Sequence, residues 1–409
     1  MTFEEFIIEH GKDDTAKLLL GRSKWPDIDI ELAVNTIECR RNIRAKLPGW
    51  YSNTGIVYPS KLSAEQCSSE ATSSYKAALC NRILSGKTGV IADLTGGLGV
   101  DAAAFSKISE IVIYNEMDYR LCEAAKHNFK CLDIDNIEIR NEEAAPGNIE
   151  KIIGEEKRPD IIFLDPARRA KDGKKVFLLE DCSPNILAME EELLILSPNL
   201  VVKLSPMADV SMAVNRLGKR VREVHILAEN DECKELIIWL DREWKGGYEI
   251  IAVNSGHSLS FSVSEENSEK PVFPENELSI QNGISSGLYL FEPGKALLKA
   301  GAFNLLCRYG LTKLGRFTHL YVGTDPETLK GQCKVFPIKK MQPLNNRNIK
   351  ECGKKYVKGE VTAKNIPLTS DELRKKTGLA SGGEVHIFGA HIDFKESQGN
   401  YLIITENKL

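Results

Sequence analysis

A doubly wound α/β domain in the middle of the chain, with a helical segment before it and small α+β modules after it, is the fold class the sequence predicts. Three observations carry this. Five short apolar runs (Val90-Ile-Ala, Ile111-Val-Ile-Tyr, Ile137-Glu-Ile, Asp160-Ile-Ile-Phe-Leu and Leu200-Val-Val-Lys-Leu) alternate with helical stretches starting near Gly99, Asp118, Pro146 and Pro184. Strands spaced by helices read as a parallel sheet with right-handed crossovers. Two further runs, Arg222-Glu-Val-His-Ile-Leu and Glu235-Leu-Ile-Ile-Trp-Leu, flank a polar turn at Asn230-Asp231 and read as a hairpin. The glycine-rich segment Asp93-Leu-Thr-Gly-Gly-Leu-Gly-Val-Asp101 follows the first run and opens a helix, which allows a tight turn and close approach of a ligand to backbone amides.

Composition sets the limits. A chain of 409 residues, 42% apolar and 27% charged, is an ordinary globular composition too long for one core. The acidic start Met1-Thr-Phe-Glu-Glu-Phe does not fit a secretory signal, and no window offers about 20 consecutive apolar residues for a membrane span. A cytoplasmic protein is the expectation. Ten scattered cysteines without a C-x-x-C pair read as reduced thiols, so no metal site is expected. The net charge of -4 hides an asymmetry: Gly331 to Gly378 holds twelve Lys or Arg against four Asp or Glu, leaving -12 for the remainder. A basic module on an acidic body suits a polyanionic partner, and a solvated lysine face is the alternative.

From Met1 to about Gly49 the apolar spacing is helical, Pro48-Gly49 ends the segment, and Tyr51 to Ser60 forms a loop. Ser63-Ala-Glu-Gln66 fits a capping box, with one helix running on to about Leu84. After Gly246-Gly247 come alternating runs at Ile250 and Leu259, a strand at Leu288-Tyr-Leu-Phe and a helix from Lys295 to Tyr309. The division expected is 1–74 helical, 75–247 doubly wound, 248–316 a small α+β module, and 317–409 a last module with the basic stretch.

The candidate site lies at the strand ends. Asp93, Thr95, Gly97, Gly99 and Asp101 mark a loop that serves a dinucleotide as well as S-adenosylmethionine (SAM), and Glu116, after the second strand, is placed to accept from both ribose hydroxyls of either. Glu143 and Ala144 follow the third strand, where an acidic residue can accept from an adenine amino group. Asp165-Pro166-Ala167-Arg168 follows the fourth. A dehydrogenase has no use for Asp-Pro there, whereas a methyltransferase holds its methyl acceptor at that point. The four loops together therefore favour SAM.

The run Val90 to Phe105, with Glu116, Asp118, Glu143-Ala144 and Asp165-Pro-Ala-Arg-Arg169, resembles class I SAM-dependent methyltransferases over roughly Tyr75 to Glu243, with Thr95 standing where that family's first loop glycine is common. Tyr58-Pro-Ser-Lys through Lys76, Lys203-Leu-Ser-Pro-Met207, Leu288-Tyr-Leu-Phe-Glu-Pro293 and Asn365-Ile-Pro-Leu through Arg374 resemble the bacterial methyltransferases that carry a C-terminal THUMP-like domain. That resemblance implies a Rossmann-like class I sheet, a ferredoxin-like module over 248–316, a THUMP-like domain over 317–409 and, because THUMP domains bind RNA in tRNA-modifying enzymes, an RNA acceptor.

Ala167 and Arg168 depart from the Pro-aromatic end of the base amino methyltransferase motif, and an arginine can stack on a base or hold a phosphate. Amino, ring-carbon, ribose and non-RNA acceptors all stay open. Cys182 is a weak candidate for a covalent nucleophile, having no basic sequence neighbour. Gln66, Ser68, Ser69, Glu70 and Lys76 form either a polar cap over the cofactor or an ordinary helix face, and Lys203 faces the acceptor or pairs with Asp165 or Asp93. The expectation is a SAM-dependent methyltransferase, with Asp165, Pro166 and Arg168 at the acceptor and Gln66 and Lys203 beside it. A non-catalytic RNA-binding protein and a nucleotide-linked oxidoreductase are the rivals.

Overall fold

The computed structural model describes residues 1–154, 157–168 and 179–407. They divide into two compact units, Met1–Glu223 with Glu235–Gly247, and Val224–Lys234 with Tyr248–Leu409.

The first unit begins with helices α1 (Phe3–Glu9), α2 (Thr15–Leu20) and α3 (Ile30–Ile43), capped by Thr2, Asp14 and Asp29. They share a core of Phe6, Ile7, Leu18, Ile30, Ala33, Val34 and Ile37. Two expectations are corrected here. Pro48 starts a short helix, α4 (Pro48–Ser52), in place of ending one, since a first-turn proline gives up no intrahelical hydrogen bond. The single helix from Ser63 is two: α5 (Lys61–Gln66), capped by Ser60, and α6 (Glu70–Ile83), capped by a Ser69–Thr72 box. Cys67 is extended (φ -60°, ψ 160°), and this break turns the Ser68 side chain inward, where it is buried.

The expected alternation follows: β1 (Val90–Asp93), α7 (Val100–Phe105), β2 (Ile111–Asn115), α8 (Tyr119–Cys131), β3 (Ile137–Arg140), α9 (Ile149–Ile153) and β4 (Ile161–Leu164). The short β5 (Ala167–Arg168) and β6 (Cys182–Ser183) pair antiparallel, ahead of α10 (Ile186–Leu196), β7 (Asn199–Leu204) and α11 (Val210–Leu217). β8 (Val221–Glu229) and β9 (Glu232–Asp241) are joined by Asn230 and Asp231, whose φ of 50° and 62° suit a tight hairpin turn.

Within this unit the strand order is β9-β7-β4-β1-β2-β3, parallel except for β9, which runs antiparallel to β7. Ile91, Val112, Ile113, Ile161, Ile162, Val201 and Val202 are fully buried, which accounts for unbroken apolar runs where a half-exposed strand would alternate. The order reverses at β1, and the crevice outside strand ends at such a point is where an open α/β sheet takes its ligand.

The second unit holds the antiparallel pair β10 (Glu249–Asn254) and β11 (His257–Ser262), followed by α12 (Val263–Ser268) and α13 (Glu277–Ser285). β12 (Tyr289–Pro293) leads to α14 (Lys295–Ala300). The helix expected through Tyr309 stops there at Gly301 (φ 77°), and a separate 3-10 turn covers Leu305–Tyr309. Next come β13 (Thr312–Lys313), β14 (Tyr321–Gly323), β15 (Cys333–Pro343), α15 (Asn346–Lys355), β16 (Glu360–Lys364), α16 (Ser370–Thr377), β17 (Val385–Asp393) and β18 (Gln398–Glu406). Among the described residues β12 to β18 form one sheet, ordered β13-β14-β12-β15-β18-β17-β16. Ile349 and Cys352 of α15 and Leu373 of α16 share a core with Ile387, Leu402 and Ile404 of the sheet. The two helices approach so closely that a Cβ on Gly353 would lie 1.8 Å from the carbonyl oxygen of Thr377.

Candidate active site

Asp93 closes β1 with its side chain inside the protein. Its Oδ1 accepts from the Thr95 amide at 3.1 Å, while its Oδ2, equally buried, has no hydrogen-bond partner among the described residues. Burial, with Asp101 adding to it, pushes this carboxyl well above the ordinary aspartate range.

The glycines that follow have separate reasons. A Cβ on Gly96 would sit 2.1 Å from the Tyr114 ring and one on Gly99 2.6 Å from Phe129, so these two let the loop lie against α8 and β2. Gly97 (φ 55°) faces open space, with nothing within 4 Å of the position a Cβ would take. Glu116 stands beside it: Oε2 accepts from the Gly97 amide and Oε1 from the Asp118 amide, both at 2.9 Å. The Tyr114 hydroxyl donates to the Gly97 carbonyl at 2.5 Å.

Thr95 does what no glycine could. Its Oγ1 accepts from the Asp165 amide at 2.6 Å and so ties the loop after β1 to the loop after β4. Asn115 is a residue that the sequence reading missed. Buried at the end of β2, it donates to the carbonyls of Leu94 and Glu142 and accepts from the Glu142 amide, which holds the chain just ahead of Glu143 and Ala144. Glu143 itself is exposed and Ala144 half-buried.

At the ends of β4 and β7, Lys203 Nζ lies 2.5 Å from Asp165 Oδ2, so of the roles expected for this lysine the structure shows the ion pair with Asp165. The lysine side chain is 11% exposed and the aspartate 35%. Burial pushes the Asp165 carboxyl up and Lys203 pulls against it. For Lys203 burial is outweighed by Asp165, Glu235 and Asp101, and the ammonium is held above the ordinary lysine range. Pro166 is buried, Arg168 lies in β5 opposite Cys182 with its side chain outside the described residues, and Arg169 is also outside them. Gln66 is the exposed last residue of α5.

The α6 polar residues are engaged with protein. Glu70 Oε1 accepts from the amides of Gly49 and Trp50, capping α4. Lys76, completely buried, donates to Ser68 Oγ at 2.6 Å and Glu235 Oε2 at 2.7 Å and lies 3.0 Å from Asp101 Oδ1. Ser68 donates to Asp101 Oδ2, and Thr72 to Glu235 Oε1. Burial works to raise Glu235, but Lys76 and Lys203 more than offset it and its carboxyl lies below the usual range. Glu235 was legible only as a charge opening an apolar strand.

These residues suit a nucleoside cofactor such as SAM in kind: a buried carboxylate oxygen without a partner among the described residues, a glycine facing open space and an acidic residue at the next strand end lie around one loop. Among the described residues no group of three or more His, Cys, Asp or Glu is placed to share a metal ion, and no helix is long and apolar enough to cross a membrane.

A ferredoxin-like domain family matches residues 289–328, and a family described as THUMP domain-like matches 333–407. The chain is similar over 99% of its length, and 97% of the other, to the crystal structure of a candidate methyltransferase from Porphyromonas gingivalis W83, at 28% identity and a TM-score of 0.84. The chain has a methyltransferase-type α/β body with ferredoxin-like and THUMP-like domains at its C-terminal end. Partial matches include an rRNA methylase from Streptococcus thermophilus (15% identity, 41% of this chain and 93% of that one, TM-score 0.30). Another is the Thermus thermophilus 16S rRNA N2 G1207 methyltransferase in complex with AdoMet and guanosine (13%, 41% of each chain, 0.31). At that level of superposition they carry no weight. No curated protein sequence matches the chain.

Proposed function

We propose that this protein is a cytoplasmic SAM-dependent methyltransferase acting on a nucleotide of RNA. The observation that carries the reading is the hydrogen bond from the Asp165 amide to Thr95 Oγ1, because it fixes the acceptor-side carboxylate to the same loop that exposes Gly97 beside Glu116. Asp93, Thr95, Gly97, Gly99 and Asp101 form the cofactor cradle, Glu116 receives the ribose, and Glu143 with Ala144 borders the adenine. Asp165, Pro166 and Arg168 receive the acceptor, with Lys203 and Gln66 beside them. Bound SAM supplies an electrophilic methyl group, so the protein's task is chiefly alignment.

The RNA part rests on the basic stretch. Lys350, Lys354, Lys355, Lys358, Lys375 and Lys376 are exposed and unpaired with any carboxylate among the described residues, the arrangement that phosphate contacts use. Calorimetry with S-adenosylhomocysteine tests the cofactor: the expected result is micromolar binding, lost in Asp93→Ala and Glu116→Ala. No heat at submillimolar ligand would overturn it. Comparing modified nucleosides in RNA from cells with and without the protein tests the acceptor, and an unchanged profile would remove RNA from the proposal.

A further inference from the structure

Five parts of the fold bring two lysines and three carboxylates together: Lys76 from α6, Asp101 from α7, Asp165 after β4, Lys203 near the end of β7 and Glu235 on β9. Lys76 pairs with Glu235 at 2.7 Å and with Asp101 at 3.0 Å, and Lys203 pairs with Asp165 at 2.5 Å. Buried ion pairs are a poor source of stability, since desolvation offsets most of their attraction. Three of them at one end of the sheet call for a chemical reason.

Acceptor chemistry supplies one. An amine attacking an electrophilic methyl group becomes cationic as the bond forms, and the ammonium of Lys203 beside Asp165 opposes that charge. Carbon-5 of a pyrimidine needs a thiolate to add to the ring, and Cys182, the cysteine the sequence offered for that role, is buried in β6. A ring N–H gives up its proton readily and needs no pair of buried cations. A sugar hydroxyl is a very weak acid, and it gains most from a carboxylate to take its proton and a fixed cation to stabilise the charge left on oxygen.

We propose that Lys76, Asp165, Lys203 and Glu235 act together to prepare a hydroxyl acceptor, the ribose 2′-hydroxyl of RNA, for methylation. This rests on the methyl-transfer reading above. The hydroxyl proton passes to the Asp165 oxygen not engaged by Lys203, and its bonding pair stays on the sugar oxygen. That oxygen bonds to the methyl carbon as the carbon–sulfur bond breaks, the pair of the latter remaining on sulfur. Asp165, partly open to solvent, returns the proton to water. Asp165 and Lys203 are the catalytic residues. Lys76 and Glu235 are positioning residues, holding the far side of the cluster in place.

The test uses the full chain in three measurements. In RNA from cells lacking the protein, one alkali-resistant dinucleotide is expected to disappear, since a 2′-O-methyl group blocks alkaline cleavage. A lost methyl on a base nitrogen or carbon overturns the inference and leaves the methyl-transfer reading standing, as does an unchanged profile with S-adenosylhomocysteine binding intact. An unchanged profile without binding overturns both. Lys203→Met is expected to slow single-turnover methylation at neutral pH by about 10²- to 10³-fold, with S-adenosylhomocysteine affinity within about threefold of wild type and partial rescue by Lys203→Arg. In the cofactor-free protein, carbon-13 titration of the Asp165 carboxyl, assigned by Asp165→Asn, is expected to move to higher pH in Lys203→Met, because the cation that holds the carboxyl down is gone. No movement would mean that the pair does not form in solution, and would overturn the proposal.

Discussion

Thr95 Oγ1 accepts a hydrogen bond from the backbone amide of Asp165 at 2.6 Å, so a residue of the loop after β1 sets the position of the carboxylate after β4. Thr95→Val keeps the volume and removes the acceptor. It is expected to cost about 1 kcal/mol in urea unfolding and to lower kcat more than it weakens S-adenosylhomocysteine binding. Thr95→Ser keeps the hydroxyl and is expected to stay near wild type; equal loss in both variants would show that the hydroxyl is immaterial.

Asp93 gives a pH signature. Its folded pKa is raised by burial, so its contribution to stability is present below the unfolded value near 4 and is lost as pH rises, while the unfolded chain ionises and the folded one resists. Asp93→Asn is therefore expected to have a higher urea midpoint than wild type at pH 7 to 8, the difference closing toward pH 4, with weaker cofactor binding throughout. A variant less stable at every pH would contradict this.

His386 has the opposite sign. Burial beside Phe336 and Phe388 holds the imidazole at about 4, against an ordinary value of about 6.5 in the unfolded chain. Between those values the unfolded state binds the extra proton, so stability of the second unit falls as pH drops from about 6.5 to about 4, by at most about 3 kcal/mol. His386→Leu is expected to flatten that part of the curve, read as urea midpoints at half-unit pH steps.

Gly353 and the lysines beside it make a separable pair of effects. A Cβ at Gly353 would strike the Thr377 carbonyl, and Gly353→Ala is expected to destabilise the second unit by about 1 to 3 kcal/mol. Lys354→Glu, Lys355→Glu, Lys375→Glu and Lys376→Glu lie on exposed positions and are expected to leave the melt unchanged. They should weaken RNA binding and flatten its dependence on log salt by about 0.7 to 0.9 for each phosphate no longer neutralised. Unaltered RNA affinity would place the RNA-binding face elsewhere.

Much of the first unit was legible in the sequence because β1, β2, β4 and β7 are buried along most of their length and several of its helices start at recognisable caps. The five apolar runs became β1, β2, β3, β4 and β7, and Asp118 caps α8 as its position suggested. Side-chain partnerships between distant elements were not legible. Lys76 and Glu235 lie 159 residues apart, and nothing local marks either as the other's partner. Asn115 carries no local mark in the sequence, and its side-chain bonds to the backbone at Leu94 and Glu142 depend on the parallel register. The continuous helix expected through Ser68 failed because Ser, Cys and Gln tolerate a helix without enforcing it, and tertiary burial of the Ser68 hydroxyl against Asp101 and Lys76 decided the matter.

The burial of Lys76 bears on how the chain can be dissected. Residue 74 lies inside α6, and Ser68 and Thr72, which steady the lysine and its glutamate partner, precede it. A fragment starting at the doubly wound sheet would keep two carboxylates and their cation while discarding the hydroxyls that hold them and the helical turn that seats them. Protein engineers and crystallographers trimming this molecule should therefore treat its N-terminal helices as a component of the doubly wound body: a shortened version that precipitates or fails to bind would report on the cut, and not on the chemistry.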